Sequence, residues 1–92
     1  MRDFKELLVW KKSIHLLETI YNITNAFPKE EIYGLTNQLR RTVVSISSNI
    51  AEGSGRRTSK DFVSFLYNSM GSLKEVENQL IITKRLNYIT EK

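Results

Sequence analysis

Apolar side chains recur along this chain at alternating steps of three and four residues, and the rhythm is interrupted in only two places. It runs through Leu7, Trp10, Ile14, Leu17, Tyr21 and Thr24, then through Ile32, Leu35, Leu39, Val43, Ile46 and Ile50. A third run follows at Phe62, Leu66, Ser69, Leu73, Val76, Leu80 and Thr83. Such steps place side chains on one face of a helix, whereas a half-buried strand needs a period of two. The first interruption is Phe27-Pro28, because the residue before proline is pushed out of helical dihedrals. The second is Gly53-Ser54-Gly55, with Gly53 expected as a left-handed C-cap. The pattern predicts helices over residues 3–26, 28–53 and 58–86. These make one all-α domain spanning residues 1–92, an up-down helical bundle.

The helix ends carry matching signals. Asp3 and Glu6 stand at N-cap and N3 spacing, as do Thr58 and Asp61. Pro28 suits a first turn, and Glu30 and Glu31 suit the positive end of a helix dipole. Gly34 offers a break that would make residues 28–33 a separate turn. Gly71, inside the third helix, implies a close backbone approach that offsets its poor helix propensity. Asn87-Tyr88-Ile89 breaks the third pattern. Three long helices with wide seams leave one groove apolar, and a partner subunit is the expected cover, making a homo-oligomer.

Composition removes most chemistries. With 92 residues, no cysteine and one histidine, there is no disulfide framework, no thiolate zinc site and no multi-histidine metal site. No apolar run approaches the roughly 20 residues of a membrane span, and the N-terminus lacks a signal-peptide core. A cytoplasmic protein without cofactor or metal is expected. The net charge of +4 is local. Residues 1–39 and 61–92 are each balanced, so the excess lies in Arg40, Arg41, Arg56, Arg57 and Lys60 against Glu52. A local basic excess suits phosphate or acidic partners.

Beside the second helix's core stripe runs a polar line of Gln38, Arg41, Ser45, Asn49 and Glu52, within an arc of about 80° at 100° per residue. Ser72, Glu75 and Gln79 form a facing line on the third helix. Together they suggest a hydrogen-bonded polar seam between helices or subunits, with Arg41 paired to Glu75 to offset desolvation. Val44, Ser47, Ser48 and Ala51 form a small-residue face suited to close packing. The loop Gly53-Ser54-Gly55-Arg56-Arg57-Thr58-Ser59 combines free backbone, two arginines and the N-terminus of a helix, a combination that could seat a phosphate. It lacks the GxxxxGK[ST] pattern and follows no strand, so nucleotide hydrolysis is rejected. His15 has no acid or nucleophile at helical spacing. Trp10 and Tyr21 read as core, and Phe65 and Tyr67 as facing a subunit or solvent. No nucleophile–base set or carboxylate pair stands out, and no enzyme is expected.

Several stretches carry a resemblance: Leu8-Val9-Trp10-Lys11-Lys12, Phe27-Pro28-Lys29-Glu30-Glu31, the run from Gln38 to Arg56 centred on Ser45-Ile46-Ser47-Ser48-Asn49-Ile50-Ala51-Glu52-Gly53, and Gly71-Ser72-Leu73-Lys74-Glu75. Together they resemble the ribosomal-protein-like four-helix-bundle family encoded in intervening sequences of bacterial 23S ribosomal RNA genes, over essentially the whole chain. The resemblance implies a ring-like homopentamer and RNA binding. It also implies kinship with accessory proteins of diversity-generating retroelements, which bind nucleic acid and a reverse transcriptase. The motif positions Arg41, Ser45, Asn49, Glu52, Gly53, Gly71 and Glu75 match the seam and glycines singled out above. Two departures stand out: Asn78 replaces a frequent threonine, and the family's fourth helix would begin where the sequence ends. The expected function is non-enzymatic RNA binding by a homo-oligomer, with Arg40, Arg56, Arg57 and Lys60 on phosphates. The alternative is a protein-interaction scaffold, such as a partner of a reverse transcriptase or RNA-processing enzyme.

Overall fold

All three periodic segments are helical, and specific side chains set their ends. The computed structural model describes residues 3–89. A 3-10 turn at Phe4–Glu6 precedes α1 (Leu8–Thr24). A second 3-10 turn at Lys29–Glu31 leads into α2 (Leu35–Ser54), and α3 (Ser59–Arg85) follows. No strand occurs among the described residues.

The first helix is shorter than its sequence pattern. Asp3 caps the 3-10 turn by accepting from the Lys5 amide at 3.0 Å, so it does not cap α1. Leu7 is extended (φ −74°, ψ 128°), and α1 begins only after it. The face that α1 buries is also rotated from the expected one. Trp10, Ser13, Leu17, Ile20, Thr24 and Phe27 form the inward line, again at steps of three and four, while Tyr21 is 37% exposed. Steps of three and four admit Ser13 or Ile14 and Ile20 or Tyr21 equally; apolarity favours Ile14 over Ser13, nothing local separates Ile20 from Tyr21, and two members of the buried line, Ser13 and Thr24, carry hydroxyls. Those hydroxyls are inexpensive to bury because each donates to its own helix: Ser13 to the Trp10 carbonyl at 2.6 Å, Thr24 to that of Ile20 at 2.8 Å. Ser47, Ser54 and Thr83 do the same. Ser69 instead crosses from α3 to the Ile46 carbonyl of α2 at 2.9 Å.

α2 is the centre of the bundle. Its stripe of Leu35, Leu39, Val43, Ile46 and Ile50 is buried as the periodicity predicts, whereas Ile32 lies outside the helix and is 56% exposed. Ile20 from α1 and Val76 from α3 close the core against it. Each such side chain contributes about 1.5–3 kcal/mol through the hydrophobic effect. α1 and α3 each pack on α2, and among the described residues they make no close backbone approach to each other. Between their first halves lies an apolar groove floored by Ile46 and Ile50 and walled by Val9, Leu16, Leu66 and Met70. Leu73, expected in the core, stands on its rim at 42% exposure.

The glycines divide the bundle's two ends. Gly53 is not a left-handed cap: α2 runs through it to Ser54, Gly55 caps the helix at φ −87°, and no described glycine has positive φ. A Cβ at Gly53 would lie 2.5 Å from Cβ of Phe65 and 3.0 Å from Cδ1 of Phe62, so glycine lets α3 approach. Gly71 behaves oppositely, since a Cβ there would meet nothing within 4 Å; it is not a close-packing position within this chain. At the other end, Gly34 leaves room for a cap. Glu31 Oε1 accepts from the Leu35 amide at 3.1 Å, and a Cβ on Gly34 would sit 2.6 Å from that oxygen. Glu31 Oε2 accepts from the Tyr88 hydroxyl at 2.7 Å, and the Tyr88 ring lies 5.7 Å from that of Phe27. Tyr88 is brought there by a Schellman turn: Asn87 adopts φ 62°, its amide reaches the Lys84 carbonyl, and the Tyr88 amide reaches that of Thr83. These two bonds hold the Glu31 carboxyl below its ordinary value of 4.5, the Leu35 amide first and Tyr88 second. The same carboxylate raises the Tyr88 phenol above 10.0.

Candidate nucleic-acid interface

The basic segment of the sequence divides in space. Thr58 caps α3 with extended backbone, its hydroxyl accepting from the Asp61 amide at 3.1 Å, and the turn from Gly55 to Thr58 presents Arg56 and Arg57. Arg56 is held: its Nη2 lies 2.7 Å from Glu52 Oε2, and its guanidinium sits 4.7 Å over the Phe65 ring. An exposed pair of this kind contributes about 0.2–1 kcal/mol and leaves the arginine reachable. It also takes Glu52 out of the polar seam and turns Phe65 inward. Arg57 and Lys60 are exposed, beside the exposed Asp61.

Arg40 does not join them. It is half-buried at the junction of α1 and α2, with Nε donating to Thr24 Oγ1 at 2.8 Å and Nη2 to Asn25 Oδ1 at 3.0 Å. Its guanidinium stacks 4.7 Å from the Tyr21 ring centre. All these partners are neutral, and the group lies at the negative end of α1, where a cation is favoured. Arg40 therefore staples two helices, about 21 Å along α2 from Ser54, where the turn carrying Arg56 begins, at 1.5 Å per residue.

The polar seam is partly formed. Ser45 and Ser72 hydroxyls are hydrogen-bonded at 2.7 Å across α2 and α3, while Asn49 donates to the Ser45 carbonyl of its own helix. Arg41 and Glu75 line one cleft with Gln38 and Gln79 but form no ion pair with each other or with another described residue. Thr42, absent from the expected seam, is part of it: its hydroxyl donates to the Gln38 carbonyl at 2.7 Å and lies 3.4 Å from Gln79 Nε2. Its place three residues before Ser45, on the α3 side of α2, was the available signal.

Among the described residues no group of three or more histidines or carboxylates is placed to hold a metal, and no helix is long and apolar enough to cross a membrane. What remains is an all-α bundle of three helices, with an exposed basic turn at one end and a polar cleft toward the other. The model of the family described as 23S rRNA-intervening sequence protein matches residues 5–92, and the chain belongs to that family. It is not a known enzyme family. No curated protein matches the chain.

Proposed function

We propose that this protein binds RNA without catalysis, through the turn at Arg56, Arg57 and Lys60, and that several copies assemble to repeat that turn. The carrying observation is that Arg57 and Lys60 are exposed at the N-terminus of α3, with Arg56 fixed beside them. Arginine and lysine there contact phosphates and carry no base information. Each neutralised phosphate contributes roughly 0.7–0.9 to the slope of log K against log salt, so one turn alone binds weakly and repetition multiplies it. The measurement is fluorescence anisotropy on a structured RNA over a salt series. Arg57→Ala with Lys60→Ala should weaken binding and reduce the slope by about 1.4–1.8 for each turn engaged. An unchanged slope would reject this assignment.

A scaffold reading is favoured by a different observation, the apolar groove between Val9, Leu16, Leu66 and Met70. A partner helix seated there, from another subunit or from an RNA-processing enzyme, would need no basic turn. Purified protein free of nucleic acid by its ultraviolet absorbance ratio, and inert toward RNA at low salt, would favour the scaffold.

A further inference from the structure

The cleft between the first half of α2 and the second half of α3 has unused hydrogen-bonding capacity of both signs. Its volume is about 530 Å³, inside the roughly 300–1,000 Å³ range of ligand sites. Gln79 Oε1 is buried and has no hydrogen-bond partner. Its orientation follows from proton economy: Thr42 has one hydroxyl proton, which goes to the Gln38 carbonyl at 2.7 Å, so its oxygen is left to accept from Gln79 Nε2. That leaves the Gln79 oxygen shielded and unmatched, which is costly, and the charged groups of the cleft that stay open to a ligand are Arg41 and Glu75. Arg41 and Glu75 stand in the same wall without closing on each other, one a fork of donors and the other two acceptor oxygens. Tyr33, 92% exposed, stands at the cleft with a free aromatic face.

A ligand matching this set must offer acceptors to Arg41, more than one donor to the Glu75 carboxylate and a flat face to Tyr33. A phosphate offers acceptors only and meets Glu75 unfavourably. A simple cation satisfies Glu75 and repels Arg41. Among nucleobases, guanine alone joins two acceptors, O6 and N7, to an adjacent edge with the N1 and N2 donors. Arginine on O6 and N7 is the commonest specific contact to that base, and aromatic rings stack on unpaired bases. We propose that this cleft receives an unpaired guanine of a bound RNA, with Arg41 on O6 and N7, the Glu75 carboxylate on the N1–N2 edge, and Tyr33 stacked on the ring. The assignment rests on the RNA-binding reading above. It adds a base-reading site about 20 Å along α2 from Ser54, where the phosphate-binding turn begins, at 1.5 Å per residue.

The test uses the full chain and labelled single-stranded oligouridines carrying one central guanine, adenine, inosine or 7-deazaguanine, measured by anisotropy at one salt concentration. The guanine strand should bind about tenfold tighter than the adenine strand, the size expected of one good bidentate contact. Inosine, lacking the N2 amine, and 7-deazaguanine, lacking N7, should each lose several-fold. Glu75→Gln and Arg41→Ala alter exposed side chains, and each should abolish the preference while changing adenine-strand affinity by no more than about threefold. Arg57→Ala with Lys60→Ala should weaken all strands and leave the ratio intact. Equal, salt-dependent binding of all four strands overturns the guanine site and leaves the RNA-binding reading standing. No binding of any strand at low salt overturns the guanine site, and absence of binding to the structured RNA as well overturns both. A guanine preference that survives Glu75→Gln and Arg41→Ala also overturns the assignment.

Discussion

Replacing Gly53 and Gly71 by alanine, one at a time, should move stability in opposite directions. Both lie inside helices, so each alanine gains about 0.8–1.0 kcal/mol of helix propensity. At Gly71 the new methyl meets nothing within 4 Å, and the gain is kept. At Gly53 it would sit 2.5 Å from the Phe65 Cβ and 3.1 Å from its Cγ, both close to the α3 backbone and unable to swing away. Overpacking of this sort costs about 1–3 kcal/mol and more where backbone must shift. With contacts this close the cost sits at about 2–3 kcal/mol, so the net for Gly53→Ala is a loss of about 1–2 kcal/mol after the propensity gain. In a domain of this size 1 kcal/mol moves the midpoint by about 4–8 °C. Thermal melts followed by circular dichroism at 222 nm should show Gly71→Ala melting about 4–8 °C higher and Gly53→Ala about 4–16 °C lower. Combining Gly53→Ala with Phe65→Gly, which removes the Cβ as well as the ring, should recover part of the loss relative to additivity, because the two sites share one contact. Two shifts of the same sign would refute the reasoning, as would strict additivity in the double variant.

Three further outcomes follow from side-chain contacts. Because Glu31 is held below 4.5 in the folded state, its stabilisation is present above that pH and is lost as pH falls through the folded value. Glu31→Gln should therefore melt lower than the parent at neutral pH, with the gap closing in acid; parallel acid limbs would contradict the cap. Arg40→Met removes charge-assisted bonds to Thr24 and Asn25 while keeping much of the aliphatic stem, and should cost about 1–3 kcal/mol in urea unfolding without changing RNA affinity. Ser13→Ala should change stability by less than about 0.5 kcal/mol because its bond stays within one helix turn, whereas Ser69→Ala, which breaks a bond between helices, should cost about 0.5–1.5 kcal/mol by the same assay.

Much of the architecture was readable in the residues because one physical rule governs it. Leu39, Val43, Ile46 and Ile50 recur at helical spacing, and that spacing alone buries them. The Thr58 cap and the break near Gly34 were equally legible, since both depend on local chemistry. The α1 face was not. Apolarity favours Ile14 over Ser13, because hydropathy cannot see a hydroxyl satisfied by its own helix, while Ile20 and Tyr21 both fit the period and spacing alone does not choose between them. Charge was read least well. Arg40 and Arg56 look alike in sequence, yet one is committed to Thr24 and Asn25 and the other to an exposed carboxylate. Partners sixteen residues distant, as Thr24 is from Arg40, leave no local trace. The cleft at Arg41 and Glu75 was anticipated as a closed pair; spacing brought the two residues to one wall but could not say whether they touch.

The fastenings at the two ends of this bundle are unequal. At one end Tyr88 joins the exit of α3 to Glu31 and Phe27, and Arg40 joins the exit of α1 to α2. At the other, the starts of α1 and α3 face each other across the groove with only α2 beneath them. Mechanically the molecule is a pair of tongs riveted near Tyr88, with its jaws at Val9 and Met70. The α3 jaw is held to α2 by Ser69 and by the close approach at Gly53, so any widening of the groove falls to the α1 jaw while Leu39 and Val43 stay packed. Amide exchange should accordingly be fastest along the first turns of α1 and slowest around Leu39, and any helix that enters the jaws would register first as slowed exchange at Val9 and Trp10.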